Sequence, residues 1–213
     1  YTYPKFEYVC PPEVAEQRCG HYPVVIVGAG PVGLSMAIDL AAQGQQVLLL
    51  DNDDTVSIGS RGVCYAKRTL EVLDRLNCGA PAVQKGVSWN VGRTFFGDGE
   101  VFNFNLCPQE GHQRPGMVNL QQYYLEDYLV ARARQLPNLE MRFKNNVISV
   151  EQDDAQATVR VETPDGAYTL TTDWLVAADG ARSPIRTMLG LDIEGKIFMD
   201  RFLIADVVMK ADY

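Results

Sequence analysis

The strongest chemical signal in the chain is Gly28-Ala29-Gly30-Pro31-Val32-Gly33, followed eighteen residues after its last glycine by Asp51. Glycines at this spacing have separable uses. Gly28 permits a tight turn out of a strand, Gly30 lets bare backbone approach a pyrophosphate, and Gly33 lets a helix pack closely on the strand before it. The free N–H groups and positive dipole end of that helix then face the phosphates. An ionised Asp51 can accept both hydroxyls of an adenosine ribose and would repel a 2′-phosphate, which favours FAD or NAD over NADP. Asn52, beside the acid, belongs to the same candidate set. A glycine-rich turn can be incidental, so the motif counts only with its context, and by itself it does not choose between FAD and NAD.

The context is present. Val24-Val25-Ile26-Val27 is a short, β-branched apolar run that suits a strand buried on both faces. Leu34, Ala37, Ile38 and Ala41 then fall on one face of a helix, and Gly44 sits where a helix-ending glycine belongs. Val47-Leu48-Leu49-Leu50 is a second buried strand that ends at Asp51. The unit is a βαβ crossover.

Around it, residues 1–22 read as an irregular arm punctuated by prolines. Residues 69–76 read as a short helix. Residues 86–115, with scattered aromatics and the turn Gly97-Asp98-Gly99, read as antiparallel strands. A helix is expected over 119–136, where Asn119 and Gln122 have capping-box spacing. Strands are expected at 139–143, 147–151, 157–161 and 168–171, with a separate buried run at 174–178 ending in Asp179-Gly180. Ser183-Pro184 has the order of an N-cap with proline at the first helical position. A last strand at 202–209 has nothing after it to cover its edge, so the sequence is expected to be the front part of a longer protein.

Composition narrows the function classes. A net charge of −8 over 213 residues makes a nucleic-acid partner a poor fit. No apolar run approaches the roughly 18–20 residues of a membrane helix. The charged first twenty residues do not read as a secretory signal. Five cysteines without a CxxC and only two histidines give no basis for a zinc or other metal site. Reduced thiols and a cytoplasmic location are the expectation.

Leu175-Val176-Ala177-Ala178-Asp179-Gly180-Ala181-Arg182-Ser183-Pro184-Ile185-Arg186 decides between the dinucleotides. It resembles the Asp-Gly fingerprint of the FAD-dependent aromatic hydroxylases, the single-component flavoprotein monooxygenases with the para-hydroxybenzoate hydroxylase fold. Gly59-Ser60-Arg61-Gly62, Lys67-Arg68-Thr69-Leu70-Glu71 and Gln122-Tyr123-Tyr124-Leu125-Glu126 resemble that family too, in its order. The whole is most similar to the 3-(3-hydroxyphenyl)propionate hydroxylase branch.

The resemblance implies an α/β fold: a Rossmann-like FAD-binding domain over 23–85 and 116–195 with a β-meander. Residues 86–115 and 197–213 would be parts of an antiparallel substrate-side sheet. It implies that Asp51 holds the adenosine ribose, that Arg61 approaches the pyrophosphate and that Gln122 reaches the cofactor. Val147 would lie against the adenine through its backbone, and Asp179 with Gly180 near the phosphate–ribitol part. The family's later Gly-Asp motif is absent, so a flavin site built from these residues alone would be incomplete.

The implied chemistry uses NADH or NADPH, O2 and a small phenolic substrate, through a flavin C4a-hydroperoxide. No residue here reads as its acid, base or nucleophile. Plainer readings stand beside these. Gln122 could close a helix start, Arg61 could be a solvated loop residue, and Asp179 could serve a helix entry with Gly180 at positive φ. Tyr123, Tyr124 and Tyr128 read as helix packing. A halogenase, epoxidase or reductase of the same fold is a rival, as is an FAD-binding piece without turnover. The Asp-Gly segment argues against an NAD-dependent dehydrogenase. Oligomeric state, a homo-oligomer included, stays open.

Overall fold

A computed structural model describes residues 1–59, 61–201, 203 and 210. The chain runs α1 (Pro12–Ala15), β1 (Gly20–Val27), α2 (Pro31–Ala42), β2 (Val47–Leu50), β3 (Cys64–Ala66), α3 (Lys67–Arg75), α4 (Gly79–Lys85), β4 (Val87–Trp89) and β5 (Val91–Phe96). It continues through β6 (Gly99–Asn105), β7 (Met117–Asn119), α5 (Gln122–Ala133), β8 (Leu139–Arg142), β9 (Asn146–Gln152), β10 (Ala157–Thr163), β11 (Gly166–Ala177) and α6 (Pro184–Met188).

One six-stranded sheet organises the molecule, in the order β8-β2-β1-β11-β10-β9. The first four strands are parallel, and β10 and β9 add an antiparallel meander. Alternate residues of β1 and β2 feed two cores, as a period of two requires. Val24, Ile26, Val47 and Leu49 pack with Leu34 and Ile38 of α2 and Leu125 and Leu129 of α5. Val25, Val27, Leu48 and Leu50 pack with Val159, Val161, Leu170 and Ile185. Burial on both faces explains why these strands read as unbroken apolar runs.

The α/β class, the βαβ unit and the meander agree with the sequence reading; several boundaries do not. The arm is not irregular throughout. It contains α1, and β1 starts at Gly20, because Gly20, His21 and Tyr22 pair with Leu170, Thr171 and Thr172 of β11. The two strands expected at 168–171 and 174–178 are one strand, β11. Its pairing with β1 runs from Gly20↔Leu170 to Val27↔Ala177, and Thr172 Oγ1 donates to the carbonyl of Pro23 at 3.3 Å.

The alternative in which Gln122 closes a capping box with Asn119 is not realised. Asn119 lies in β7, opposite Cys64 and Val87, and α5 begins only at Gln122. Within the three-stranded sheet β3-β7-β4, β4 lies in the stretch read as antiparallel strands, whereas β3, β7 and the helix α4 carry no sequence pattern long enough to read. The β5–β6 hairpin turns through Gly97 at φ +57°, as expected. Residues 197–201 form no regular element, and the strand expected at 202–209 lies, Leu203 apart, outside the described residues.

Candidate functional site

A cleft opens at the carboxyl ends of β1, β2 and β11, the ligand side of an open parallel sheet. Its floor is the glycine turn. Gly28 has φ +106°, and a Cβ there would sit 2.4 Å from the carbonyl oxygen of Ala178. A Cβ on Gly33 would sit 1.8 Å from the carbonyl oxygen of Gly28, so the start of α2 rests directly on the turn. Gly30 is different. Its φ is −74°, and a Cβ there would meet nothing within 4 Å. No internal contact excludes a side chain at Gly30; the free space belongs to the cleft. No side chain caps α2; Pro31 at its start has no N–H, the Leu34 amide donates to the Gly30 carbonyl at 3.0 Å, and the Val32 and Gly33 amides lie ahead of the first intrahelical acceptor.

Asp51 stitches this floor to the neighbouring strands. Its Oδ2 accepts from the Ala29 amide, and its Oδ1 accepts from the Asp53 amide at 2.7 Å. Its own amide donates to the Arg142 carbonyl at 2.9 Å, and its carbonyl accepts from the Asn145 amide at 2.8 Å. Each carboxylate oxygen keeps a second lone pair for a ligand hydroxyl. Burial pushes the Asp51 carboxyl above the usual range, against the opposing pull of the two amides.

The opposite wall follows β11. Asp179 Oδ2 accepts from Ser183 Oγ at 2.8 Å and from the Ile185 amide at 3.1 Å, and Ser183 Oγ in turn accepts from the Arg186 amide at 3.0 Å. Asp179 and Ser183 together cap α6, with Gly180 at φ +85° making the turn between strand and helix. The helix-entry role is thus realised while Asp179 still faces the cleft. Val147 lines a third side. Its side chain is buried in the second core, with Val27, Leu50 and Ile185, which also line the cleft.

Of the residues read from sequence, Gly28, Ala29, Gly30, Asp51, Asn52, Arg61, Val147, Asp179 and Gly180 come together around this cleft. Pro31 and Val32 face a groove between α2 and α3 instead. Gly33 is buried beneath the turn. Gln122 is not on the cleft wall. Its Oε1 accepts from the Gly62 amide at 3.0 Å, and its Nε2 donates to Ser57 Oγ at 3.0 Å and Glu126 Oε1 at 2.7 Å.

Glu126, Asn145 and Thr55 are among the cleft residues that the sequence does not mark as part of the site. Glu126, 2% exposed, accepts from the amide and the hydroxyl of Ser57 and so fixes the loop after β2. An acid beside Leu125 on the buried face of a helix was a usable signal. Asn145 and Thr55 carried none. Tyr123, Tyr124 and Tyr128 pack against the first core. The residues present fit a dinucleotide. The cleft offers open backbone at Gly30, a carboxylate at Asp51 and the guanidinium of Arg61 on its lining.

Residues 21–213 match the family described as "FAD binding domain". The chain is 34% identical over 187 residues to the para-nitrophenol 4-monooxygenase of Pseudomonas sp. strain WBC-3, covering 86% of this chain and 46% of that one. It is 32% identical to 3-(3-hydroxy-phenyl)propionate/3-hydroxycinnamic acid hydroxylase 2 of Burkholderia vietnamiensis, covering 86% and 34%. The crystal structure of p-nitrophenol 4-monooxygenase PnpA from Pseudomonas putida DLL-E4 superposes with a TM-score of 0.78 at 31% identity, over 84% of this chain and 46% of that one. The flavin-dependent monooxygenase PieE, solved with FAD and substrate, superposes at 0.72 with 28% identity, over 83% and 33%. The chain therefore spans half or less of the length of these relatives.

Proposed function

This chain belongs to the FAD binding domain family, and from that premise we propose that it is the dinucleotide-holding part of an FAD-dependent monooxygenase that hydroxylates a phenolic ring with NADH or NADPH and O2. The observation that carries the reading is the contrast within one turn. Gly28 and Gly33 are demanded by internal packing, whereas Gly30 borders only open cleft, beside an acid at the end of β2.

In this reading the free amides of the first turn of α2 and the Arg61 guanidinium hold the pyrophosphate. Asp51 accepts the adenosine ribose hydroxyls, and the backbone at Val147 lies along the adenine. Asp179 and Gly180 border the phosphate–ribitol part. Gln122 acts on the cleft through Gly62 and Ser57. The β5–β6 hairpin, with Phe95, Phe96 and Phe102 exposed, belongs to the substrate side, where apolar cover excludes water. The chemistry supplied by bound FAD is two-electron uptake from NADH or NADPH and transfer of one atom of O2 to the ring, the other leaving as water.

The test uses the full-length protein. Denaturation should release a non-covalent yellow flavin. With a panel of nitrophenols, hydroxyphenylpropionates and simple phenols, substrate-stimulated NAD(P)H oxidation and incorporation of one ¹⁸O atom from ¹⁸O2 should appear together. Bound NAD without flavin would overturn the reading, and a halogenated, epoxidised or reduced product would redirect it within the fold.

A further inference from the structure

The cleft's ribose-side wall is the loop 52–59 that follows β2, and it has no regular structure of its own. Asn52, Asp53, Ile58 and Gly59 are exposed. Glu126 grips this loop from the α5 side through Ser57. A second grip comes from the arm at residues 3–6, which lies outside the stretch matched to the family.

Four contacts make that grip. The Phe6 amide donates to the Asp54 carbonyl at 2.7 Å, and Lys5 Nζ donates to Asp54 Oδ1 at 2.7 Å. Thr55 Oγ1 donates to the Pro4 carbonyl, and Tyr3 OH accepts from the Gly59 amide at 3.0 Å. The arm is itself anchored. The Phe6 ring is 6% exposed and stacks on Phe143 at 4.4 Å, inside the first core.

We propose that residues 3–6 are a positioning strap for the cofactor site: held by Phe6, they fix the 54–59 segment so that the wall beside Asp51 is preformed when the adenosine half of a dinucleotide arrives. The inference rests on the proposed FAD site. A loop already ordered in the ligand-free protein loses less conformational freedom on binding, and the gain appears as affinity. The Lys5–Asp54 pair, at the surface, contributes least. The two hydroxyl-mediated contacts, at Tyr3 and Thr55, are the ones to remove.

The experiment measures dissociation constants of FAD, and of ADP in competition with FAD, on full-length apoprotein. Tyr3→Phe keeps the ring and deletes the acceptor. Thr55→Val deletes the donor, and Thr55→Ser restores it. Tyr3→Phe and Thr55→Val should each weaken FAD and ADP in parallel by about fivefold, with Thr55→Ser near wild type. Glu16→Ala, on the same arm but paired with Arg18 on the solvent side, should change neither.

Unchanged affinities in folded Tyr3→Phe and Thr55→Val would overturn the strap. So would a loss for FAD without one for ADP, or an equal loss in Glu16→Ala, which would report general destabilisation of the arm. Wild-type apoprotein that takes up no FAD would sink the site itself and the strap with it, an outcome distinct from variants that bind as wild type does.

Discussion

Two acids stand at the ends of two parallel strands, one on each side of the cleft, and they are built into the molecule in opposite ways. Asp51 reaches back across twenty-two residues to Ala29, and its backbone is clasped by Arg142 and Asn145. Asp179 spends its carboxylate within its own segment, on Ser183 and Ile185, four and six residues away. The first wall is a junction of distant chain segments, and the second is a local strand-to-helix turn. A change on the Asp51 side should therefore propagate to the fold and the ligand together, and a change on the Asp179 side should stay near α6.

The most severe test of that contrast pairs two glycines. Gly33→Ala drives a methyl group into the Gly28 carbonyl, backbone against backbone, and should reach or exceed the upper end of the roughly 1–3 kcal/mol that overpacking costs. Gly180→Ala meets no atom within 4 Å and bears only the cost of its φ of +85°, about 1–2 kcal/mol. Thermal melts of the two variants should separate clearly, and equal losses would break the comparison.

Next in size is Asp51→Ala. Losing a charged acceptor for ribose hydroxyls should weaken FAD by about 1.5–3 kcal/mol, tenfold or more in Kd. Flavin titration of the folded full-length variant checks it, and unchanged affinity would remove Asp51 from the site. Ser183→Ala should cost about 1 kcal/mol of stability through the lost cap, with a smaller effect on flavin affinity. A flavin loss as large as that of Asp51→Ala would mean that the second wall is not local.

The smallest expected effect is a pH dependence. Burial raises the Asp51 pKa, so the ligand-free fold holds this proton more tightly than the unfolded chain does. Its contribution to stability is full below the unfolded value of about 4 and is lost as pH rises through the higher folded value. Ribose hydroxyls favour the ionised form, so FAD affinity should run the other way and fall as pH drops through that same raised value. Asp51→Asn should flatten both slopes, and an unaltered affinity profile would assign the titration elsewhere.

Legibility in the sequence follows the same division between local and distant. The βαβ unit was readable because each of its parts, from Val24 to Asp51, is encoded by neighbours: a buried run, spaced glycines, a helical face. The α6 cap was readable from Ser183 and Pro184 alone. What escaped depends on partners far along the chain. Gly20, His21 and Tyr22 have no strand pattern and become strand because β11 lies beside them. Asn119 looks like a cap until Cys64 and Val87 claim its backbone for a sheet. Gln122 looks like a ligand residue, yet both ends of its amide are taken by the loop it holds. Glu13, 2% exposed, looks like a solvated arm residue, but it pairs with Arg142 at 2.8 Å.

The register that sets Val27 beside Ala177 also has a kinetic side. β1 leaves the ribosome long before β11, and loop closure over so long a segment must be met before the pairing rewards it. At synthesis rates of about 5–20 residues per second, the β11 side of β1 stays open for on the order of ten seconds. Gly28 then has no Ala178 to pack against, and half the cleft does not exist. Over that interval Val24-Val25-Ile26-Val27 is an unprotected edge, a template for pairing with other chains. The exposure of that edge is accordingly set first by how fast the chain between β1 and β11 is made, and the complete cleft exists only after that.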